Sequence, residues 1–369
     1  MKKKLTVGVH TWAHDGNISV YDHKDGTLKY LKFERITGVK GQFHDDLTSW
    51  VTYLNHLDYD IGDVTELLIV DACGVQRLNF PYTHFEVEFL DHHLCHHHSI
   101  IGTTNYNSLI IDGVGSNFDC VTIYKKNQPR LKLNAYKHSS LGRDLDQLWM
   151  KWFMSESQNK FDENQYKFYG EHNHYAGHTM ALHAFGKDYS EHIIPPTYKK
   201  YSNNNKIYYG PNTWENLDNF ISKLKGEDDA LVKNSFVTSL HYYWYKKIKK
   251  HLQNVFNKHE KIGISGGVGH NIILNTLLKK DFPNLYPTPH CGDEGLSIGA
   301  VVCALSFEER FRLKETLRDL KQHDENFGYA STETIKKVAR YLEEGKLVMW
   351  GQGYSELGPR ALGYLLFLS

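Results

Sequence analysis

No run of apolar residues in this sequence is long enough to span a bilayer. The opening MKKKLTVGVH is basic and then alternates as a strand does, too short and too polar for a secretory leader. These absences point to a cytoplasmic protein without a membrane partner. Cysteine is scarce. The five residues (Cys73, Cys95, Cys120, Cys291, Cys303) are odd in number and form no CxxC pair, which argues against a disulfide framework and fits reduced thiols. Cys95 and Cys291 adjoin candidate site residues but read as small core residues. An excess of one charge is missing too. Lys and Arg total 43 and so do Asp and Glu, so nothing biases the chain toward nucleic acid or anionic lipid. No glycine turn is followed by GK[ST] and none fits GxGxxG, so the Walker A and dinucleotide-binding fingerprints are absent.

Histidine, by contrast, is plentiful: 23 residues, five of them in the nine-residue stretch DHHLCHHHS, Asp91–Ser99. On a helix His92 and His96 share one face, and so do His93 and His97. Either pair can grip a metal ion. Spacing alone leaves the choice open, and a polar histidine-rich turn is the plainer alternative. A third ligand must come from elsewhere. Asp293 follows a glycine turn at an expected helix start, where a carboxylate serves equally as a ligand or as a helix cap. Two His and one Asp suit Fe, Zn or Mn and leave positions open for water or substrate.

A length of 369 residues suggests two or three domains. Leu5–Val9, Ile18–Tyr21 and Leu28–Glu34 read as strands joined by polar turns, and His44–His56 as a helix. Glu66–Asp71 and Phe85–Leu90 read as further strands, the first suited to a parallel sheet. The pattern restarts at Ser108–Asp112, Cys120–Tyr124 and Leu131–Ala135. Strand, Asp/Gly turn, strand, hairpin, strand thus occurs twice, which suggests two related lobes with a cleft between them, with two unrelated β-meanders as the plainer alternative. Later come a helix around HTMALHAFG, an irregular loop or insertion at Tyr189–Asn212 and a long helix at Ala230–His259. A strand at Lys261–Ser265 and helices at Asn271–Lys279, Asp293–Phe307 and Ser331–Glu344 follow, with a last strand at Leu347–Trp350. Three glycine turns, DGVGSN at Asp112, SGGVGHN at Ser265 and HCGDEG at His290, could bring backbone N–H groups to phosphates. Each is weak alone. Together they suggest a nucleotide held between lobes.

Taken together these residues carry a resemblance. GVHTWAHDGNISVYDHKDGTLKYLKFERITGVKG resembles the start of the O-carbamoyltransferase family, which includes the nodulation-factor and antibiotic-tailoring enzymes. DHHLCHHHS is similar to its HHLAHA metal motif, DGVGS to DGxGE, HTMALHAFGK to KxMGLAxYG, and SGGVGHN to GGVALN. CGDEGLSIGA is similar to GDxGxxxGA, and GQGYSELGPRALG to GRxEFGPRALG. The motifs keep the family's order across Leu5–Gly363.

The resemblance implies an α/β chain with an actin-like fold of two duplicated RNase H-like lobes, 1–105 and 106–328, with an insertion near 189–212. Residues 329–369 would begin a truncated C-terminal domain of the kind that forms carbamoyl-adenylate, so that either a second polypeptide supplies the remainder or the chain is a truncated, inactive product. It implies carbamoyl transfer from carbamoyl-adenylate, made from carbamoyl phosphate and ATP, to a hydroxyl of a sugar, antibiotic or nucleoside. Expected cofactors are a divalent metal, iron first with zinc or manganese as alternatives, and Mg with ATP. Metal ligands would fall on His92, His96 and Asp293, choosing between the two histidine pairs. Nucleotide contacts would fall on Asp112, Gly113, Gly115, Ser116, His178, Gly266, Gly267 and Asn271. Catalytic residues would be His14 and Asp15, in the turn matching HDAS, and Arg360 of GPRALG. A histidine at position 14 could take the acceptor's proton. Ser116 stands where the family has Glu, and His178 where it has Lys, which weakens a phosphate-binding charge. A sugar kinase or ATPase of the same superfold, and a non-catalytic nucleotide-binding relic or subunit, are the alternatives.

Overall fold

The computed structural model describes residues 4–11, 14–39, 41, 48–71, 85–100, 107–153, 175–193, 198–203, 206–211, 213–313, 330–351 and 365–368. Arg360 and most of GQGYSELGPRALG lie outside the described residues, as does the start of the helix expected at His44.

Two five-stranded sheets carry the chain. The first contains β1 (Leu5–His10), β2 (Asn17–Asp22), β3 (Thr27–Lys32), β4 (Val64–Asp71) and β5 (Glu86–Asp91), in the order β3-β2-β1-β4-β5. β1 pairs antiparallel with β2 and parallel with β4, so it sits at the centre, and all six of its residues are buried. The second sheet contains β6 (Ser108–Ile111), β7 (Asp119–Lys125) and β8 (Gln128–Asn134). After the hairpin β9 (Tyr198–Asn203) and β10 (Lys206–Pro211) it adds β11 (Ile262–Ser265) and β12 (Leu285–Pro287), in the order β12-β11-β6-β7-β8. Last, β13 (Val348–Gly351) pairs antiparallel with β14 (Leu365–Leu368). Counted within each unit, both large sheets run third-second-first-fourth-fifth, with the same parallel and antiparallel senses. The duplicated RNase H-like lobes of the actin-like fold are therefore present in the strand order itself.

Each sheet has its own core. Val7, Val9, Ile18 and Val20 pack with Trp50 and Leu54 of helix Trp50–His56. Leu109, Ile111, Ile123 and Ile264 pack with Phe236, Leu240 and Trp244 of the long helix Asp229–Val255. Full burial of each such side chain stabilises the fold by about 1.5–3 kcal/mol. One expectation is corrected. The segment Tyr189–Asn212 is not wholly irregular, since β9 and β10 form an antiparallel hairpin. Its YKKYSN and KIYYGP runs hold β-favouring tyrosines.

The lobes meet along two helices. The histidine helix (His92–Ser99) leaves β5 with Asp91 as its N-cap, whose Oδ1 accepts the Leu94 N–H at 2.9 Å. Helix Leu296–Ala304, late in the sequence, crosses back onto the first sheet and packs against β1 and the histidine helix. Its Gly299 makes that approach possible, because a Cβ there would run into the Cys95 carbonyl. Seven of the eight histidine-helix residues are buried. A buried polar helix is stable only if its side chains find partners. Those partners define the site.

Candidate metal centre

His92 and His96 project from one face of the histidine helix toward two carboxylates. Asp112 follows β6 and comes from the second lobe. Asp293 opens the short 3-10 turn Asp293–Gly295 ahead of helix Leu296–Ala304. One donor atom from each of the four lies within 4.8 Å of all the others. His92 Nε2 is 2.8 Å from Asp112 Oδ2 and 3.5 Å from Asp293 Oδ1. His96 Nε2 is 3.4 Å from Asp112 Oδ2 and 3.5 Å from Asp293 Oδ1. The two Nε2 atoms face each other at 3.1 Å.

Donors bonded to one tetrahedral ion at about 2.0–2.1 Å lie about 3.3–3.4 Å apart. The measured spacings bracket that value. All four residues are buried. Two imidazole nitrogens and two carboxylate oxygens form a donor set that suits Fe, Zn or Mn. The residues present therefore fit a divalent cation.

The charges agree with the distances. Burial opposes ionisation of His92, but Asp293 and Asp112 outweigh it and hold its pKa well above the usual histidine value. Burial likewise opposes a charge on His96, and hydrogen bonds to Asp112 and Asp293 raise its pKa. Burial of Asp112 and Asp293 favours their neutral forms, yet the histidines hold both carboxyls well below the ordinary range.

Outer contacts fix these ligands. Asp112 Oδ1 accepts the N–H groups of Gly113 at 2.7 Å and Gly267 at 3.2 Å. Two of the glycine turns thus close on one carboxylate. His96 Nδ1 is 3.1 Å from Ser265 Oγ. Gly115 lies against the histidines: a Cβ there would stand 2.6 Å from His93 Cδ2 and 3.3 Å from His92 Cδ2. A polar seam on β2 and β3 receives the Asp293 loop. Asn17 Nδ2 donates to the Asp293 carbonyl at 2.9 Å, Tyr30 Oη to the Glu294 carbonyl at 2.7 Å, and Ser19 Oγ meets Ser297 Oγ at 2.8 Å.

The other side of Asp293 faces the HDG turn. His14 Nε2 is 3.6 Å from Asp293 Oδ2, and His14 Nδ1 is 2.8 Å from Asp15 Oδ2. Burial disfavours the imidazolium of His14, but Asp293 and Asp15 prevail and raise its pKa to about 9. His10, at the end of β1, is fully buried with Nε2 3.7 Å from Asp293 Oδ2, and burial lowers its pKa to about 4.

The remaining expected residues lie around this centre in different ways. The Ser116 hydroxyl accepts the His92 N–H at 2.9 Å and donates to the Asp71 carbonyl at 2.7 Å. Gly266 N–H donates to the Cys291 carbonyl at 2.6 Å. Asn271 caps helix Ile272–Asp281, its Oδ1 accepting the Leu274 N–H at 2.9 Å, and its Nδ2 lies 3.0 Å from His241 Nε2. His178 is exposed on helix Tyr175–Ala181, its ring 5.0 Å from that of Trp149. The nearness of Asp112 to the histidines was not foreseen, nor were the places of His10 and Asn17. Asp112 follows the carboxyl end of a central strand, where open α/β sheets place their ligands, and that was a usable signal.

The sequence matches the model of the carbamoyltransferase N-terminus family over residues 63–302. Uncharacterized protein MJ1058 of Methanocaldococcus jannaschii is 24% identical over 219 residues, 51% of this chain and 35% of that protein. Nodulation protein U of Sinorhizobium fredii is 26% identical over 198 residues, 50% of this chain and 36% of that protein. The chain thus spans about a third of the length of these relatives. Among solved structures, full-length HypF in its phosphate- and nucleotide-bound form aligns over 82% of this chain and 56% of that one, with a TM-score of 0.46 and 12% identity. That likeness is distant, and the fold rests on the strand order instead. The family match takes in the histidine helix, Asp112 and Asp293, and covers more than half of the sequence: the chain belongs to the carbamoyltransferase N-terminus family.

Proposed function

We propose that this chain is the transferase part of an O-carbamoyltransferase, moving a carbamoyl group from carbamoyl-adenylate to a hydroxyl of a small acceptor such as a sugar, antibiotic or nucleoside. The observation that carries this reading is the buried cluster His92, His96, Asp112 and Asp293, flanked by His14, in a chain of this family. A divalent cation, iron first and zinc or manganese next, would act there as a Lewis acid on a phosphoryl or carbonyl oxygen.

The chain's own residues do the rest. The turns at Gly113–Gly115 and Gly266–Gly267 flank Asp112 and are assigned to the nucleotide, with Ser116 and Asn271 bracing them. His178 is assigned to the phosphates. Asp15 holds His14 Nδ1, which directs Nε2 toward Asp293. The acceptor hydroxyl gives its proton to His14 Nε2 as its oxygen bonds to the carbamoyl carbon. The bond from that carbon to the phosphate oxygen breaks, and AMP leaves. The carboxylates keep His14 protonated at neutral pH in the metal-free protein, and positive charge beside Asp293 weakens that hold. Formation of carbamoyl-adenylate from carbamoyl phosphate and ATP, with Mg, is assigned to the segment around Arg360.

The test follows label from carbamoyl phosphate, supplied with ATP and the adenylate-forming protein of a family member, onto a panel of hydroxyl compounds. Carbamoyl ester and AMP should form together, and loss of both in His92→Ala is expected. Phosphate on the acceptor with no carbamoyl donor present would replace this reading with a kinase.

A further inference from the structure

One buried cation has no part in the chemistry above. Lys32 ends β3 and is 3% exposed. An ammonium group so placed is strongly destabilising unless paired. Its Nζ lies 3.4 Å from Asp15 Oδ1 and 3.1 Å from Glu34 Oε1. Burial opposes its charge, but Asp15, Glu34 and the nearby Glu294 keep its pKa raised.

The two paired carboxylates are placed differently. Glu34 has other partners: Oε2 accepts the Gly41 N–H at 2.8 Å, and Oε1 is 3.6 Å from Arg35 Nη1. Asp15 is held between Lys32 on one oxygen and His14 on the other. Its backbone is left-handed at φ 58°, and Asn17 Nδ2 donates to its carbonyl at 2.6 Å. The sequence of contacts is Lys32, Asp15, His14, and then Asp293.

Which ring nitrogen of a histidine carries hydrogen is set by what the other one bonds. A carboxylate at Nδ1 keeps hydrogen there and leaves the Nε2 lone pair free, as in the Ser-His-Asp arrangement. Here the carboxylate is half-buried, and a buried cation behind it keeps it aimed. We infer that Lys32 is a positioning residue for carbamoyl transfer: its ammonium holds Asp15 as the oriented partner of His14 Nδ1, so that His14 Nε2 accepts the proton of the incoming hydroxyl. The inference rests on the transfer reaction proposed above. Lys32 acts only through Asp15. If it served merely to tie β3 to Glu34, removing either member of that pair would have the same effect.

The experiment compares Lys32→Met, Lys32→Arg and Glu34→Gln in the full chain. It measures metal content, kcat and KM for the acceptor, and the His14 ring nitrogens by NMR of histidine-labelled protein, with His14 assigned by its loss in His14→Asn. Lys32→Met should lower kcat about a hundredfold or more, leave KM and metal content near wild type, and remove the Nδ1–H signature of His14. Lys32→Arg should restore most of kcat, and Glu34→Gln should behave as wild type. Lys32→Gln is read in the same way where Lys32→Met does not fold. Unchanged His14 signals in the charge-free variant, or equal losses in Lys32→Met and Glu34→Gln, would overturn the inference. The NMR readout needs no carbamoyl donor, so a wild type that transfers nothing defeats the proposed reaction and leaves the relay to be judged by His14.

Discussion

The histidine helix offers a comparison within eight residues. His92 and His96 form one pair spaced four apart, His93 and His97 another, and all four are buried. The first pair meets the carboxylates of Asp112 and Asp293. The second meets hydroxyls and an amide: His93 Nδ1 is 2.7 Å from Thr122 Oγ1, His97 Nδ1 is 2.7 Å from Ser108 Oγ, and His97 Nε2 is 3.1 Å from Asn127 Oδ1. His97 also stacks on Tyr124 with ring centroids 4.3 Å apart. Protonation follows the partners. The pKa values of His92 and His96 are raised, whereas burial lowers that of His93 to about 3 and that of His97 to about 4. Spacing makes a pair of histidines able to bind metal. What stands opposite decides whether they do.

The comparison breaks most severely at the first pair. His92→Ala or His96→Ala should reduce carbamoyl transfer by about a thousandfold or more, as expected when a metal and its Lewis acidity are lost together. Steady-state kinetics check this, with His93→Ala retaining measurable transfer. Next in size is Asp112→Asn, which keeps the Gly113 and Gly267 contacts but loses the charge facing the histidines. Metal affinity should fall by about a hundredfold or more, beyond the ten- to hundredfold typical of outer partners. Competition with a chelator measures it.

A third test exchanges the roles. His93→Ala should leave metal content unchanged but lower stability by about 2–3 kcal/mol, since it opens a cavity and strands the Thr122 hydroxyl. Denaturant unfolding reads the difference. Gly115→Ala pushes a methyl group against both pairs, so it should weaken metal binding and stability together, whereas His93→Ala affects stability alone.

The smallest effect is in pH. An unfolded histidine titrates near about 6.5. The unfolded chain therefore binds more protons than folded His93 and His97 from that pH down to their lowered values, and the fold should weaken as pH falls from about 6.5 toward about 4. In metal-free protein His92 and His96 act with the opposite sign. Their contribution is fully present below about pH 6.5 and is lost as pH rises through their raised pKa values. Melting curves of metal-free protein should lose part of their acid limb in His97→Gln.

Much of this architecture was legible beforehand. Apolar runs such as ELLIVD marked strands, and their repetition at Leu5 and Ser108 marked the duplication. The spacing of the histidines after Asp91 allowed a helix with His92 and His96 on one face, and Asp293 stood out after its glycine turn. Asp112 was legible only as part of a glycine turn. Its meeting with His92 depends on how β6 of one lobe faces a helix of the other, which local periodicity does not encode. The same holds for helix Leu296–Ala304. Its Gly299 permits close packing, but its return to β1 and the histidine helix is a contact across the whole chain. His10 and Lys32 lie inside the opening stretch but were singled out by nothing in it, and only burial beside carboxylates sets them apart. The hairpin β9–β10 was missed because tyrosine-rich strands between lysines and asparagines mimic loop composition.

The most direct test counts metal. Elemental analysis of the wild type and of His92→Ala, His93→Ala, His96→Ala and His97→Ala, purified alike, should give about one ion per chain in the wild type and in the position-93 and position-97 variants, and none in the other two. Metal lost with His93 and retained without His92 would contradict the account.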